Sequence, residues 1–330
     1  MSSYKKEIGT AVQNIAGDTG TITGQLWYDS NASEFKYQEQ VTGNAWSTGN
    51  AMNTARNQLA GAGTQTAALG FGGGTPTVTA LTESYNGTNW TEVNDLNTAR
   101  KSAGGAGTQT AALAYGGVAP PGNLTVTELW NGSSWTEVAD LNTSTRSMGS
   151  GGTSTSAISA GGGPVATVDT ETWNGTSWTE VANLNTARNS MTGVAADNTV
   201  ALAFGGQLPP GSLANTESWN GSIWTDVADL NTARRQLAGA GIATAALAFG
   251  GETPAAAEVA NTELWNGSIW TETNNLNIAR RSLAGAGTQT SALAFGGDIA
   301  GFTAATEEWN AGVNLGAWYT GGNLNTARNY

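Results

Sequence analysis

Ala246-Leu-Ala-Phe-Gly-Gly251, then Asn261-Thr-Glu-Leu-Trp-Asn-Gly-Ser-Ile-Trp270, then Leu276-Asn-Ile-Ala-Arg280 make up most of one repeat unit, and reading that unit decides the fold. Turn signals cut residues 234–276 into four short runs. Arg234 to Gly241 is predicted as strand a, and Thr244 to Phe249 as strand b, ended by Gly250-Gly251. After a proline-bearing loop, Asn261 to Trp265 is strand c and Ile269 to Asn275 is strand d. Between c and d, Asn266-Gly267 reads as a hairpin turn of type I′, because both residues tolerate the positive φ that such a turn requires. Four antiparallel strands per unit describe a propeller blade.

Moving outward, the unit recurs. A Leu-Asn-Thr-Ala-Arg segment or a variant of it ends in Arg56, Arg100, Arg146, Arg188, Arg234, Arg280 and Arg328, at intervals of 44, 46, 42, 46, 46 and 48 residues by subtraction. Trp46, Trp90, Trp135, Trp178, Trp224, Trp270 and Trp318 keep step. A period of this size marks a repeat array, so the chain is read as one repeated domain despite its 330 residues. Strands a and b are rich in Ala and Gly, as needed near an axis where blades converge. Strands c and d carry the aromatic residues that fill the wider outer gaps.

The expected fold is therefore all-β: a seven-bladed propeller of four-stranded antiparallel blades spanning residues 21–330, with residues 1–20 as an N-terminal tether or closing strand. A six-bladed ring with accessory N-terminal strands is the alternative. The chain begins with b-, c- and d-like material and ends just after a d strand, which suits ring closure. The first and last copies also share a nine-residue spacing, Tyr37 to Trp46 and Trp309 to Trp318, where the others have five, so they are expected to be neighbours across the closure. Whether Gly9 to Ile15 or the C-terminal tail supplies the innermost strand of the first blade stays open.

Composition narrows the function. Thirteen Trp give the chain an apolar payload that a disordered polar segment would lack. The net charge of −12 follows from duplicated acids and argues against nucleic acid, which needs a basic face. No stretch approaches the length of a membrane span, and the N-terminus lacks the apolar core of a signal peptide. Cys and His are absent, which removes disulfides, thiol chemistry, Ser-His-Asp triads and the usual zinc sites. The remaining acids repeat blade by blade instead of pairing once, so no catalytic residue, cofactor or metal is expected. Asp29-Ser-Asn-Ala-Ser-Glu34 has a faint calcium-loop look but lacks the turning Gly.

Ala-Leu-Ala-Phe before Gly250-Gly251, an aromatic residue, a Trp, and then an Arg after a Leu-Asn segment resemble the kelch repeat. Met52 stands where many kelch repeats carry Met. Gly24-Gln-Leu-Trp-Tyr-Asp-Ser-Asn-Ala-Ser-Glu-Phe-Lys-Tyr37 is similar to a segment common in bacteriophage virion proteins. Together the resemblances imply a tail-associated, kelch-like propeller, acting outside the cell that made it.

Each repeated arginine is read first as a scaffold group paired with the strand c acid (Glu83, Glu128, Glu171, Glu217, Glu263, Glu307), and only second as part of an anion-binding ring. The motif Trp residues are read as packing between blades, and Trp27, outside the pattern, as a local feature. Copies differ most in the b–c loops, so binding is expected there, at Pro76, Pro120, Pro121, Asn123, Pro164, Pro209, Pro210, Pro254 and Phe302. The expected partners are a host-surface glycan or protein, other virion tail proteins and further copies of the chain. The expected function is a non-enzymatic virion adhesin. A purely structural virion protein is the alternative, and a glycan hydrolase a weaker one.

Overall fold

The computed structural model describes the backbone of residues 13–15, 26–29 and 34–320, and side chains from residue 43 to 312. Residues 1–12 with Lys5 and Lys6, residues 30–33, the side chains of Trp27 and Trp318, and Arg328 lie outside the described residues. The chain forms two compact units, residues 1–44 with 312–330, and residues 45–311. In the first unit Gln13–Ile15 runs parallel to Leu26–Asp29, which pairs antiparallel with the start of the long strand Glu34–Gly49. Gln13–Ile15 is thus no innermost blade strand.

The second unit is a β-propeller of four-stranded antiparallel blades, and it has six of them, not seven. Blade 1 comprises Ala60–Gly63, Ala68–Phe71, Thr82–Tyr85 and Trp90–Val93 as strands a to d. Blades 2 to 5 repeat this order, with strands a starting at Gly104, Gly149, Thr192 and Ala238. Blade 6 takes strands a, b and c from Ala284–Gly287, Ser291–Phe295 and the start of Thr306–Thr320, and its strand d from the end of Glu34–Gly49. The first and last sequence copies are two parts of one blade. Trp46 packs on Trp309 at a ring-centroid distance of 5.4 Å, as Trp130 packs on Trp135 at 5.3 Å within blade 2. Counting seven motifs as seven blades counted this shared blade twice.

The backbone shows the closure directly. The N–H of Gln58 donates to the Ser282 carbonyl (2.8 Å), Ser102 to Gln58 (2.7 Å), Ser147 to Ser102 (2.9 Å), Ser190 to Ser147 (2.8 Å), Gln236 to Ser190 (2.7 Å) and Ser282 to Gln236 (2.8 Å). Six hydrogen bonds thus form a ring, one residue per blade, and all six residues have a left-handed φ of 52 to 55°. Non-glycine residues tolerate that conformation only where their surroundings hold it, and here each is held by both neighbours.

Blades bury both faces, so strand b reads as fully buried (Ala68–Phe71, Ala112–Tyr115, Ala246–Phe249) and not as an alternating strand. Near the axis the fit depends on glycine. A Cβ on Gly285 would lie 2.4 Å from the Gly239 carbonyl oxygen of the neighbouring blade and 2.8 Å from Phe249. Farther out, each strand d Trp reaches into the preceding blade. The indole N–H groups of Trp90, Trp135, Trp178, Trp224, Trp270 and Trp46 donate to the hydroxyls of Thr306, Thr82, Thr127, Thr170, Thr216 and Thr262, at 3.0 to 3.2 Å. Phe249, Phe295, Phe71, Tyr115 and Phe204 meet five of these Trp rings across the same gaps at 4.8 to 5.0 Å.

The c–d turn differs from the expected type I′ hairpin. Trp265 pairs with Trp270, leaving a four-residue loop closed by Asn266 N–H to the Ile269 carbonyl (3.3 Å). The Asn266 side-chain oxygen accepts from the N–H groups of Ser268 and Ile269 (both 3.0 Å), and only Gly267 takes a positive φ, of 94°. Asn serves here through its side chain, as in an Asx turn.

Candidate functional site

The d–a and b–c connections share one face, and the repeated Leu-Asn-x-Ala-Arg segment builds its floor. Asn231 donates from its backbone (2.7 Å) and side chain (2.9 Å) to Glu263 of the next blade, and from its side chain to the Trp270 carbonyl (3.1 Å). Arg234 then inserts between strands b and c, donating to the carbonyls of Gly250 and Asn261 (both 2.8 Å) and to the Glu263 carboxylate (2.8 Å). The same ion pair forms at Arg56–Glu83, Arg100–Glu128, Arg188–Glu217 and Arg280–Glu307. All five arginine side chains are fully buried. Burial pulls each guanidinium's pKa down, and the partnered glutamate works against that fall.

Arg146 does not belong to this set. Blade 3's connection, Leu141-Asn-Thr-Ser-Thr-Arg146, is as long as the others, but the fourth residue after its Leu is Thr145, which takes the arginine's place and donates through Oγ1 to the Gly161 carbonyl (3.2 Å). Arg146 falls one step on, in register with Asn57, Lys101, Asn189, Arg235 and Arg281. These six residues form a second, outer ring beside the b–c loops.

That outer ring is unequal around the axis. At blades 4 to 6 its charges are neutralised: buried Glu252 accepts from Arg235 (2.5 Å) and from Arg281, while Arg235 also donates to Gln207 (2.8 Å) and Asn57 to Asp298 (3.4 Å). Burial alone would raise the Glu252 pKa, but its bonds to Arg281 and Arg235 and their charges outweigh that and hold it below the usual carboxylate range. At blades 1 to 3 the ring members Lys101 and Arg146 make no ion pair with any described residue. They line a groove of about 940 Å³ with Pro76, Val78, Pro120, Pro121 and Pro164, and no carboxylate borders it.

Of the loop residues singled out by sequence, Pro76, Pro120, Pro121, Asn123 and Pro164 come together in this groove. In blade 2 the loop is a small hairpin, Val118–Ala119 against Gly122–Asn123, that holds the prolines outward. Pro209, Pro210, Pro254 and Phe302 are exposed on the loops of blades 4, 5 and 6 and do not line it. Sequence reading missed Lys101 and misplaced Arg146. The step from Leu141 to Arg146 was the available signal, because it places the arginine five residues on, where Leu96, Leu184, Leu230 and Leu276 have theirs four residues on. Among the described residues no three acidic groups converge where they could hold a metal ion. No protein-family model matches the chain, and no curated protein matches it.

Proposed function

We propose that this propeller is a non-enzymatic adhesin that recognises an acidic glycan, or an acidic protein surface, on a host cell through the b–c loop face of blades 1 to 3. The observation that carries the reading is the groove itself. It gathers the most divergent loops of a repetitive scaffold, and it holds two cations that pair with no described residue, in a chain of net charge −12. Proline-walled loops lose little freedom on binding, and cations spared from ion pairs remain available to a carboxylate or sulfate. The kelch-like double glycines and the virion-like stretch Gly24 to Tyr37 support placing it on a bacteriophage tail, where a rigid ring would present the face outward. The competing reading is a structural virion protein that docks neighbouring subunits through the same loops.

The test is binding of the intact chain to candidate host cells and to a glycan array at several salt concentrations. Saturable binding to acidic glycans is expected, weakening as salt rises, and reduced about tenfold or more in the Lys101→Ala, Arg146→Ala double variant, since a bond to a charged group contributes ~1.5–3 kcal/mol. Binding that the double variant leaves unchanged would remove the groove from the account. Absence of binding, with the chain internal in virions, would favour the structural role.

A further inference from the structure

Five blades fill the slot between strands b and c with a guanidinium group; blade 3 offers the slot to something else. Thr145 occupies only its near end, bonding the Gly161 carbonyl. The arginine's other acceptors are all in place. The Ser159 carbonyl matches Gly70, Ala203 and Ala294, which accept from Arg56, Arg188 and Arg280. The Asp169 carbonyl matches Leu81, Val126, Asn215, Asn261 and Ala305 in the other blades.

Glu171, 4% exposed, supplies the carboxylate. Its Oε2 accepts twice from Asn142 (both 2.8 Å), as the matching oxygen does from the corresponding Asn in blades 1, 2, 5 and 6. Its Oε1 accepts from the Thr143 N–H (2.9 Å), as the matching oxygens of Glu83, Glu128, Glu217 and Glu307 accept from a loop N–H, but those oxygens also pair with a guanidinium and, among the described residues, that of Glu171 does not. These groups wall a cavity of about 40 Å³ that has no cationic residue in its lining. Ser144 and Pro164, both exposed, border this cavity and the groove alike.

A buried carboxylate and converging carbonyls stabilise a ligand that is both cationic and rich in N–H donors. Planarity narrows the choice further, because the same backbone holds a flat guanidinium fork in five other blades. We propose that the Glu171 slot is a binding site for a guanidinium group entering from the b–c loop face. The ligand is either free guanidinium or an arginine side chain presented by a partner, and the site stands independently of the adhesin reading.

Thermal unfolding of the intact chain in millimolar guanidinium chloride, N-acetylarginine amide, NaCl or KCl at matched ionic strength tests this. Guanidinium is expected to raise the midpoint saturably, by ~2 °C at ten times its dissociation constant, relative to NaCl and KCl. The Thr145→Arg variant should melt higher than the parent without additive and lose the response, because its own side chain fills the slot. Glu171→Gln should lose the response without that gain. A matching rise with N-acetylarginine amide would identify a presented arginine as a competent ligand, whereas a rise with guanidinium alone would restrict the site to the free ion. An equal response in Thr145→Arg, an equal response to KCl, or no saturable rise would overturn the proposal.

Discussion

Arg234 is fully buried, and such a charge persists only with its partner in place. Removing one member of a buried pair leaves the other desolvated and unmatched, at a cost of about 3–5 kcal/mol. Arg234→Ala should therefore lower stability by roughly that amount in denaturant unfolding, since Glu263 would keep only the backbone and side-chain donors of Asn231. A loss below ~1 kcal/mol would mean that water reaches the slot. The pairing of Arg with the strand c acid was legible in sequence because both recur at fixed spacing. Thr145 was not, because the eye follows the charged residue: Arg146 looks like the motif arginine until its distance from Leu141 is counted. The neutralised half of the outer ring was equally hidden, since the acids beside Arg235 and Arg281 sit in loops that share no pattern.

Strands a pack so closely around the axis that their glycines act through absence of a side chain. Gly285 has no unusual φ, so the effect of a substitution there is steric and not conformational. Gly285→Ala is expected to force the first strands of blades 5 and 6 apart and cost ~1–3 kcal/mol, as overpacking does, measurable as a lower midpoint with an unchanged denaturant slope. A neutral result would show that the two strands can separate freely. At this scale sequence reading located the strands well, because double glycines punctuate all six blades, and prolines and Asn-Gly pairs punctuate blades 1 to 5. It misjudged the c–d turn because Asn-Gly is compatible with two loop lengths. The choice was made by the aromatic pair Trp265–Trp270, which must face each other across the hairpin.

A ring of repeats has no intrinsic beginning, and the number of blades depends on how the ends meet. Composition and period alone could not settle it, because a strand d at one end and strands a to c at the other look like two incomplete copies. The structure joins them, so that a hydrogen-bonded ring of six residues closes around the axis and the scaffold becomes nearly six-fold. Against that near-symmetry the departures stand out: two cations with no ion pair among the described residues, a groove of divergent loops and an arginine replaced by threonine all fall at blades 1 to 3. The divergent loops could be found in the sequence; their meeting in one groove could not, because it depends on which blades adjoin.

Closure by Trp46 is thus the claim on which the placement of every site depends. A double-mutant cycle between Trp46→Phe and Thr262→Val, residues joined by a 3.0 Å hydrogen bond across 216 positions, tests it most directly. The coupling should be ~1 kcal/mol and equal to that of the internal pair Trp224 and Thr170, which makes the same bond between blades 4 and 3. Simple additivity for Trp46 and Thr262, with coupling retained for Trp224 and Thr170, would contradict the six-bladed ring.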